Sequence, residues 1–114
     1  MQVVQTQTGL KSDTIEEGIK NGRYLMVNVL GDTMEPTFRH GDIVFVDTEK
    51  RNCSGGGIFH FTGMGSNIAR AIQIAGDRVE LYREHPAYQT IKMSKSEFDS
   101  MLVGKVVAHL KVLA

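Results

Sequence analysis

The sequence has one cysteine, two prolines, no excess of either charge and no long apolar run. Each scarcity removes a class of protein. A single thiol, Cys53, can form neither an internal disulfide nor a cysteine-based zinc site, and it fits a reducing compartment. Thirteen Lys and Arg balance 13 Asp and Glu, whereas a chain that bound nucleic acid with its whole surface would carry a basic excess or stripe. No stretch approaches the roughly 20 apolar residues of a membrane-spanning helix. The first residues, MQVVQTQTGLKSD, lack the basic-then-apolar order of a signal peptide. The expectation is a cytoplasmic protein with no membrane attachment.

What is present points to sheet. The 114 residues are enough for one domain with its own core. With 41% apolar and 23% charged residues the composition is globular rather than disordered. Twelve glycines among β-branched runs mark many tight turns. Residues 1–22 read as an N-terminal arm or linker remnant, polar except for Val3, Val4 and Leu10, and residues 23–114 as the domain. Within the arm, Asp13 as N-cap with Glu16 three residues on is compatible with a short helix ending at Asn21-Gly22, or with a loop holding one turn.

From Arg23 on, the pattern is of short strands. Tyr24–Leu30, Asp42–Asp47, Gly57–Thr62, Asn67–Ile74, Arg78–Tyr82, Tyr88–Met93 and Leu102–Val112 are the expected strands, and Ser96–Met101 is one expected helical turn. Asp42–Asp47 is apolar at both parities, as in a strand covered on both faces. In Asn67–Ile74, Ile68, Ile72 and Ile74 share a face with Arg70, opposite Ala69, Ala71 and Gln73. In the last strand the even positions Leu102, Val106, Ala108, Leu110 and Val112 form one apolar face interrupted by Gly104. The result is a mostly-β domain of open-barrel or sandwich type, without repeats and without a helix-turn-helix pattern.

The most specific stretch is Gly31–Asp47, GDTMEPTFRHGDIVFVD. Local physics makes it a strand–loop–strand corner. Gly31 and Gly41 permit positive φ, Pro36 fixes a bend after Glu35, and Met34 and Phe38 are apolar plugs. Asp32, Glu35, Asp42 and Asp47 flank this corner without the spacing of a calcium loop, and solvated turn carboxylates are expected, with no metal and no cofactor. Gly55-Gly56-Gly57 lacks the lysine and helix of a phosphate loop, and Cys53 beside it is expected as an exposed thiol without a partner.

This stretch resembles the G-D-S-M-x-P…GD-x-V-x-V-D signature of LexA-type self-cleaving repressors. That S24 peptidase-like superfamily includes the C-terminal domains of lambda-type phage repressors and UmuD-like proteins, and signal peptidases carry a related segment. NIARAIQIAGDRVELYREHPAY and LVGKVVAHLK are similar to later family segments in the expected order, so the resemblance spans about residues 24–112. It implies the mostly-β LexA-like fold, with Gly31, Asp32, Met34, Pro36, Gly41, Asp42 and Arg70 as motif or structural residues.

The resemblance also implies a chemistry that these residues do not carry. In the family a serine attacks a peptide bond and a desolvated lysine takes its proton, because serine needs an adjacent base and lysine serves only when burial lowers its pKa. The serine's place holds Thr33, whose β-branch adds a methyl and stiffens χ1. The lysine's place, just before Arg70, holds Ala69. Loss of a general base costs on the order of 10²–10⁴ in rate. His40, His60, His85 and His109 are conceivable substitutes, His60 being expected as structural. Residues 1–32 hold no Ala-Gly or Cys-Gly pair of the kind the family cleaves; Ala75-Gly76 reads as a hairpin turn.

The resemblance thus implies a non-cleaving oligomerisation and regulatory domain of a phage- or prophage-type transcriptional repressor. Its partners would be a second copy in a homodimer or higher homo-oligomer, an antirepressor protein, and DNA only through an N-terminal domain outside this chain. Val103, Lys105, Val107 and His109 on the last strand are the candidate self-association residues. The alternative is an active self-cleaving serine/threonine-type peptidase with Thr33 as nucleophile.

Overall fold

The computed structural model describes residues 2–6, 12–64 and 66–113. Leu10 lies outside the described residues, as do the side chains of Asp13, Lys111 and Val112. Eight strands and two helices run in the order β1 (Gln2–Thr6), α1 (Ser12–Lys20), β2 (Tyr24–Asn28), β3 (Ile43–Asp47), β4 (Gly57–Phe61), β5 (Ile68–Ile74), β6 (Arg78–Tyr82), β7 (Ile91–Ser94), α2 (Lys95–Met101), β8 (Leu102–Leu113). The strands form one antiparallel sheet with the path β2-β3-β8-β4-β5-β6-β7, and β1 also pairs with β8. The ends of the path, β2 and β7, do not meet, so the mostly-β architecture is open. No helix among the described residues is long and apolar enough to cross a membrane.

Local chemistry accounts for most of the elements. The Val79 and Leu81 side chains of β6 point inward and are fully buried, as alternation predicts. In β3, Val44 and Val46 belong to one apolar cluster and Phe45 to another, so this strand is covered on both faces. The β5–β6 hairpin turns at Gly76, with φ of 74°. Helix α2 starts at a Ser94 cap whose Oγ accepts the Glu97 amide at 3.1 Å, and it buries Phe98 against Phe59. It begins one residue before the expected turn. Helix α1 runs for nine residues, more than a single turn, and Ile15 packs with Tyr24, Phe45 and Ala108. The segment expected as an arm therefore carries a strand of the sheet and a helix that shares a cluster with β2 and β3.

Strand β8 departs most from the pattern. Phe45 and Val46 of β3 pair with Ala108 and Val106, which makes Val107 an extra, bulged residue. His60 and Gly104 pair, then Phe61 and Leu102, which makes Val103 a second bulge. Each bulge resets the alternation. Leu102 joins the cluster of Phe59, Phe61, Leu81 and Phe98; Val106 joins that of Val29, Met34, Phe38 and Val44; Ala108 and Leu110 join that of Ile15, Tyr24 and Phe45. The single apolar face expected for the even positions is thus divided among three clusters.

The expected interruption at Gly104 is a requirement. A Cβ there would lie 2.4 Å from the Asp47 carbonyl oxygen. Only glycine lets β8 approach β3 so closely.

One smaller expectation also changes. Strand β7 is limited to Ile91–Ser94 and leaves Tyr88 in a loop. In β5 the two faces are as expected: Ala69 and Ala71 are buried on one, and on the other Ile68 is buried and Ile72 exposed.

Candidate functional site

The corner after β2 is held by its own backbone and by neighbours. Gly31 and Gly41 have φ of 80° and 92°, the left-handed values that their positions imply. The Gly31 amide donates to His40 Nδ1 at 2.9 Å, and the Phe38 amide to the Met34 carbonyl at 2.9 Å. Met34 and Phe38 are buried plugs, as expected, in the cluster with Val44 and Ile68. The Glu35–Pro36 peptide is cis.

Asn67, at the start of β5, aligns this corner with the sheet. Its Nδ2 donates to the Asn28 carbonyl at 2.9 Å, and its Oδ1 accepts the Leu30 amide at 3.1 Å. The side-chain amide thereby imitates a neighbouring strand where β2 has ended.

The loop after β6 clamps the other side. The His85 amide donates to the Thr33 carbonyl at 2.9 Å, and the Tyr88 hydroxyl to Asp32 Oδ1 at 2.7 Å. Glu84 accepts from Arg70 at 2.9 Å through Oε1 and from the Thr37 hydroxyl through Oε2. Arg70, expected as a motif residue, therefore reaches the corner through Glu84. The Tyr88 hydrogen bond lowers the Asp32 carboxyl below its ordinary range, and the same bond raises the Tyr88 phenol.

Between corner and clamp lies a cleft of about 250 Å³ lined by Gly31, Asp32, Thr33, Ser66, Arg83 and Tyr88. Thr33 is only 7% exposed. Ser66 Oγ and Arg83 Nε are buried and have no hydrogen-bond partner among the described residues. Each unpaired buried donor costs about 1–3 kcal/mol, more when charged. Asn67, Arg83, Glu84, His85 and Tyr88 carry no sequence signal for these roles beyond lying in a segment whose resemblance is quoted above, and Ser66 lies just before that segment.

Ala69 is elsewhere in chemical terms. It is 0% exposed and belongs to the cluster of Phe59, Phe61, Ala71, Val79 and Leu81. No ionisable atom can arise from it.

The four histidines divide into two kinds. His40 Nδ1 accepts the Gly31 amide, and His85 Nδ1 accepts the Ala87 amide at 3.1 Å. The single lone pair of each neutral ring is therefore engaged. His60 Nδ1 meets the Asn67 carbonyl at 2.9 Å and His109 Nε2 meets Asp42 Oδ2 at 2.9 Å, so these nitrogens donate.

Several expected surface groups are buried. Asp42 and Asp47 are interior rather than solvated turn carboxylates. Asp42 Oδ2 accepts from the Arg39 amide at 3.0 Å as well as from His109, whose ring packs 4.4 Å from Phe38. Asp47 is forked by Arg23 at 3.1 and 2.9 Å and also accepts the Glu49 amide. Burial raises the Asp47 carboxyl, but the Arg23 and Glu49 bonds outweigh it and leave the group below its ordinary range. Cys53 is interior too, and burial pushes its thiol up.

The self-association candidates on β8 lie inside the sheet. Strands β1, β3 and β4 all pair with β8. Val103 and Val107 are the bulged residues and pack on the second and third clusters. Lys105 is half-buried beside Gly57, and His109 is buried against Asp42. Among the described residues no group of three or more His, Cys, Asp or Glu side chains could hold a metal ion.

No curated protein matches the chain. A family model described as Peptidase S24-like matches residues 2–107, which takes in the corner, the clamp, β5 and the first half of β8. With that match over nearly the whole length, the chain belongs to the peptidase S24-like family.

Proposed function

We propose that this chain is a non-cleaving regulatory domain of a phage- or prophage-type transcriptional repressor, acting by self-association. The observation that carries the reading is Ala69, fully buried among Phe59, Phe61 and Leu81 where the family resemblance places the general base. Thr33 keeps a hydroxyl but has no lysine to activate it. The rings of His40 and His85 offer no substitute, because their acceptor nitrogens already hold backbone amides.

Self-association follows from a different part of the fold. Strand β2 ends the sheet path; its outer edge is held by Asn67 at the Asn28–Leu30 end, and the strand carries no charged residue, no proline and no paired strand on that edge among the described residues. Met26 is 56% exposed on one face of this edge and Leu25 41% on the other, with Leu30 exposed just beyond. Exposed sheet edges in stable monomers are usually blunted by charge, proline or a cover. An unblunted apolar edge suits pairing with a second copy, which replaces the β8 surface read from sequence. Joining two copies links their DNA-binding domains and raises operator affinity through effective concentration. An antirepressor protein that bound the domain would then supply the release that cleavage supplies in relatives.

Two measurements test this reading. Intact-mass spectrometry after incubation at alkaline pH is expected to show no fragment; a fragment that is absent in Thr33→Val overturns the non-cleaving half. Light scattering over a concentration series is expected to show a dimer or larger species that Met26→Lys shifts to monomer. A strict monomer at high micromolar concentration overturns the self-association half.

A further inference from the structure

We propose that the cleft between the corner and the 83–88 clamp binds a carboxylate group. The inference stands on Ser66 and Arg83 and does not depend on self-association or on whether Thr33 cleaves. Ser66 is 7% exposed, Ser66 and Arg83 both line the cleft, and the buried Ser66 Oγ and Arg83 Nε have no hydrogen-bond partner among the described residues. The Nε–H can only donate, and a hydroxyl with no donor nearby is free to donate as well. Two donors without acceptors, on residues that line the same cleft, call for an oxygen ligand.

The guanidinium is held in place by other contacts. Arg83 Nη2 donates to the Gln89 carbonyl at 2.7 Å, and the group stands 5.4 Å from the Tyr88 ring centroid. Those contacts leave Nε for a ligand and hold its direction. A planar carboxylate matches a guanidinium edge, with its second oxygen available to the Ser66 hydroxyl.

Charge selects the class of anion. Arg83 is the one cation among the residues that line the cleft, and the Asp32 carboxylate lines it too. One positive group beside one negative group suits a monoanion and opposes a phosphate dianion. Asp32 is itself occupied by the Tyr88 hydroxyl, so the carboxylate from outside does not compete for that donor. Tyr88 is exposed at the rim, where its ring stands against Arg83.

The carboxylate can be that of a free small acid or of a peptide C-terminus. Proton–nitrogen NMR titration of the whole chain distinguishes them, with sodium chloride matched for ionic strength. Acetate and N-acetylalanylalanine are the probes, and the amide of the latter is the control. Both acids are expected to give saturable shifts at Ser66 and at the Arg83 Nε–H, with the amide and chloride silent. Ser66→Ala is expected to weaken binding about tenfold, the size of one charge-assisted hydrogen bond. Arg83→Lys, which keeps the charge but loses the planar edge, is expected to weaken it at least as much. A peptide that binds about tenfold tighter than acetate or better identifies a C-terminus as the ligand; equal affinity identifies a free acid. Linear, non-saturating shifts shared with chloride, an amide that binds as well as its acid, phosphate that binds tighter than acetate, or unchanged affinity in folded Ser66→Ala and Arg83→Lys would each overturn the proposal.

Discussion

Thr33 and Ala69 stand at the two positions where the family resemblance places a serine–lysine dyad, yet their surroundings are opposite. Thr33 borders a polar cleft with Asp32, Ser66, Arg83 and Tyr88, and its carbonyl is tied to the His85 amide. Ala69 is sealed in an apolar cluster with Phe59, Phe61 and Leu81. The first position is held by hydrogen bonds across the corner, the second by packing within the sheet. Polar sites of the first kind tolerate a changed side chain as long as the backbone bonds survive. A packed site of the second kind does not tolerate a charge, because apolar side chains offer it no partner.

The largest effect expected from this contrast is that of Ala69→Lys. A lysine there overfills the cluster and brings an ammonium with no acceptor, at a cost of about 3 kcal/mol or more. Burial lowers the folded-state pKa of that lysine, so the unfolded chain binds more protons below that of free lysine. The loss should therefore shrink as pH rises toward about 10. Urea denaturation at several pH values measures this. A loss below about 1 kcal/mol, flat with pH, would break the contrast by showing that the site opens readily to polar space.

An intermediate effect is expected on the polar side from Asp42→Ala. The carboxylate accepts from both His109 and the Arg39 amide in the interior. Its removal leaves the buried His109 donor and the part-buried Arg39 amide unpaired, at a cost of about 2 kcal/mol. Asp42→Asn keeps an acceptor and should recover part of that loss. Equal losses in the two variants would show that packing, not hydrogen bonding, holds the corner.

The smallest effect is spectroscopic. Tyr88 is raised and Asp32 lowered by their shared hydrogen bond. Asp32→Asn should return the Tyr88 titration toward about 10, read from phenolate absorbance. The sign of the linkage differs for the two partners. The Asp32 contribution is present above the unfolded carboxyl value, near 4, and is lost as pH falls through the lowered folded value. The Tyr88 contribution is present below the unfolded phenol value and is lost as pH rises through the raised folded one. An unchanged Tyr88 titration in Asp32→Asn would show that the clamp does not close on Asp32 in solution.

Much of the corner was legible in the sequence because its information is local. Gly31 and Gly41 take the positive φ that only their residue type adopts cheaply, and Met34 and Phe38 are apolar residues in an otherwise polar loop. The clamp was not legible. Thr33 meets His85, Asp32 meets Tyr88 and Leu30 meets Asn67 across separations that no periodicity encodes. Asp42 and Asp47 looked like turn carboxylates because a strand boundary in sequence does not say whether its ends are covered. Their partners, His109 and Arg23, come from other parts of the chain.

By itself the sequence determined the strand-rich class, the positions of the turns, the corner and the absence of a lysine at position 69. All of these follow from side-chain type and short-range alternation. Tertiary structure alone decided where the side chains of β8 go. Its even residues alternate in sequence, but bulges at Val103 and Val107 send Leu102, Val106 and Ala108 to three different clusters. A bulge arises where two strands of unequal demand must share a ladder, and only the paired partner strand states that demand.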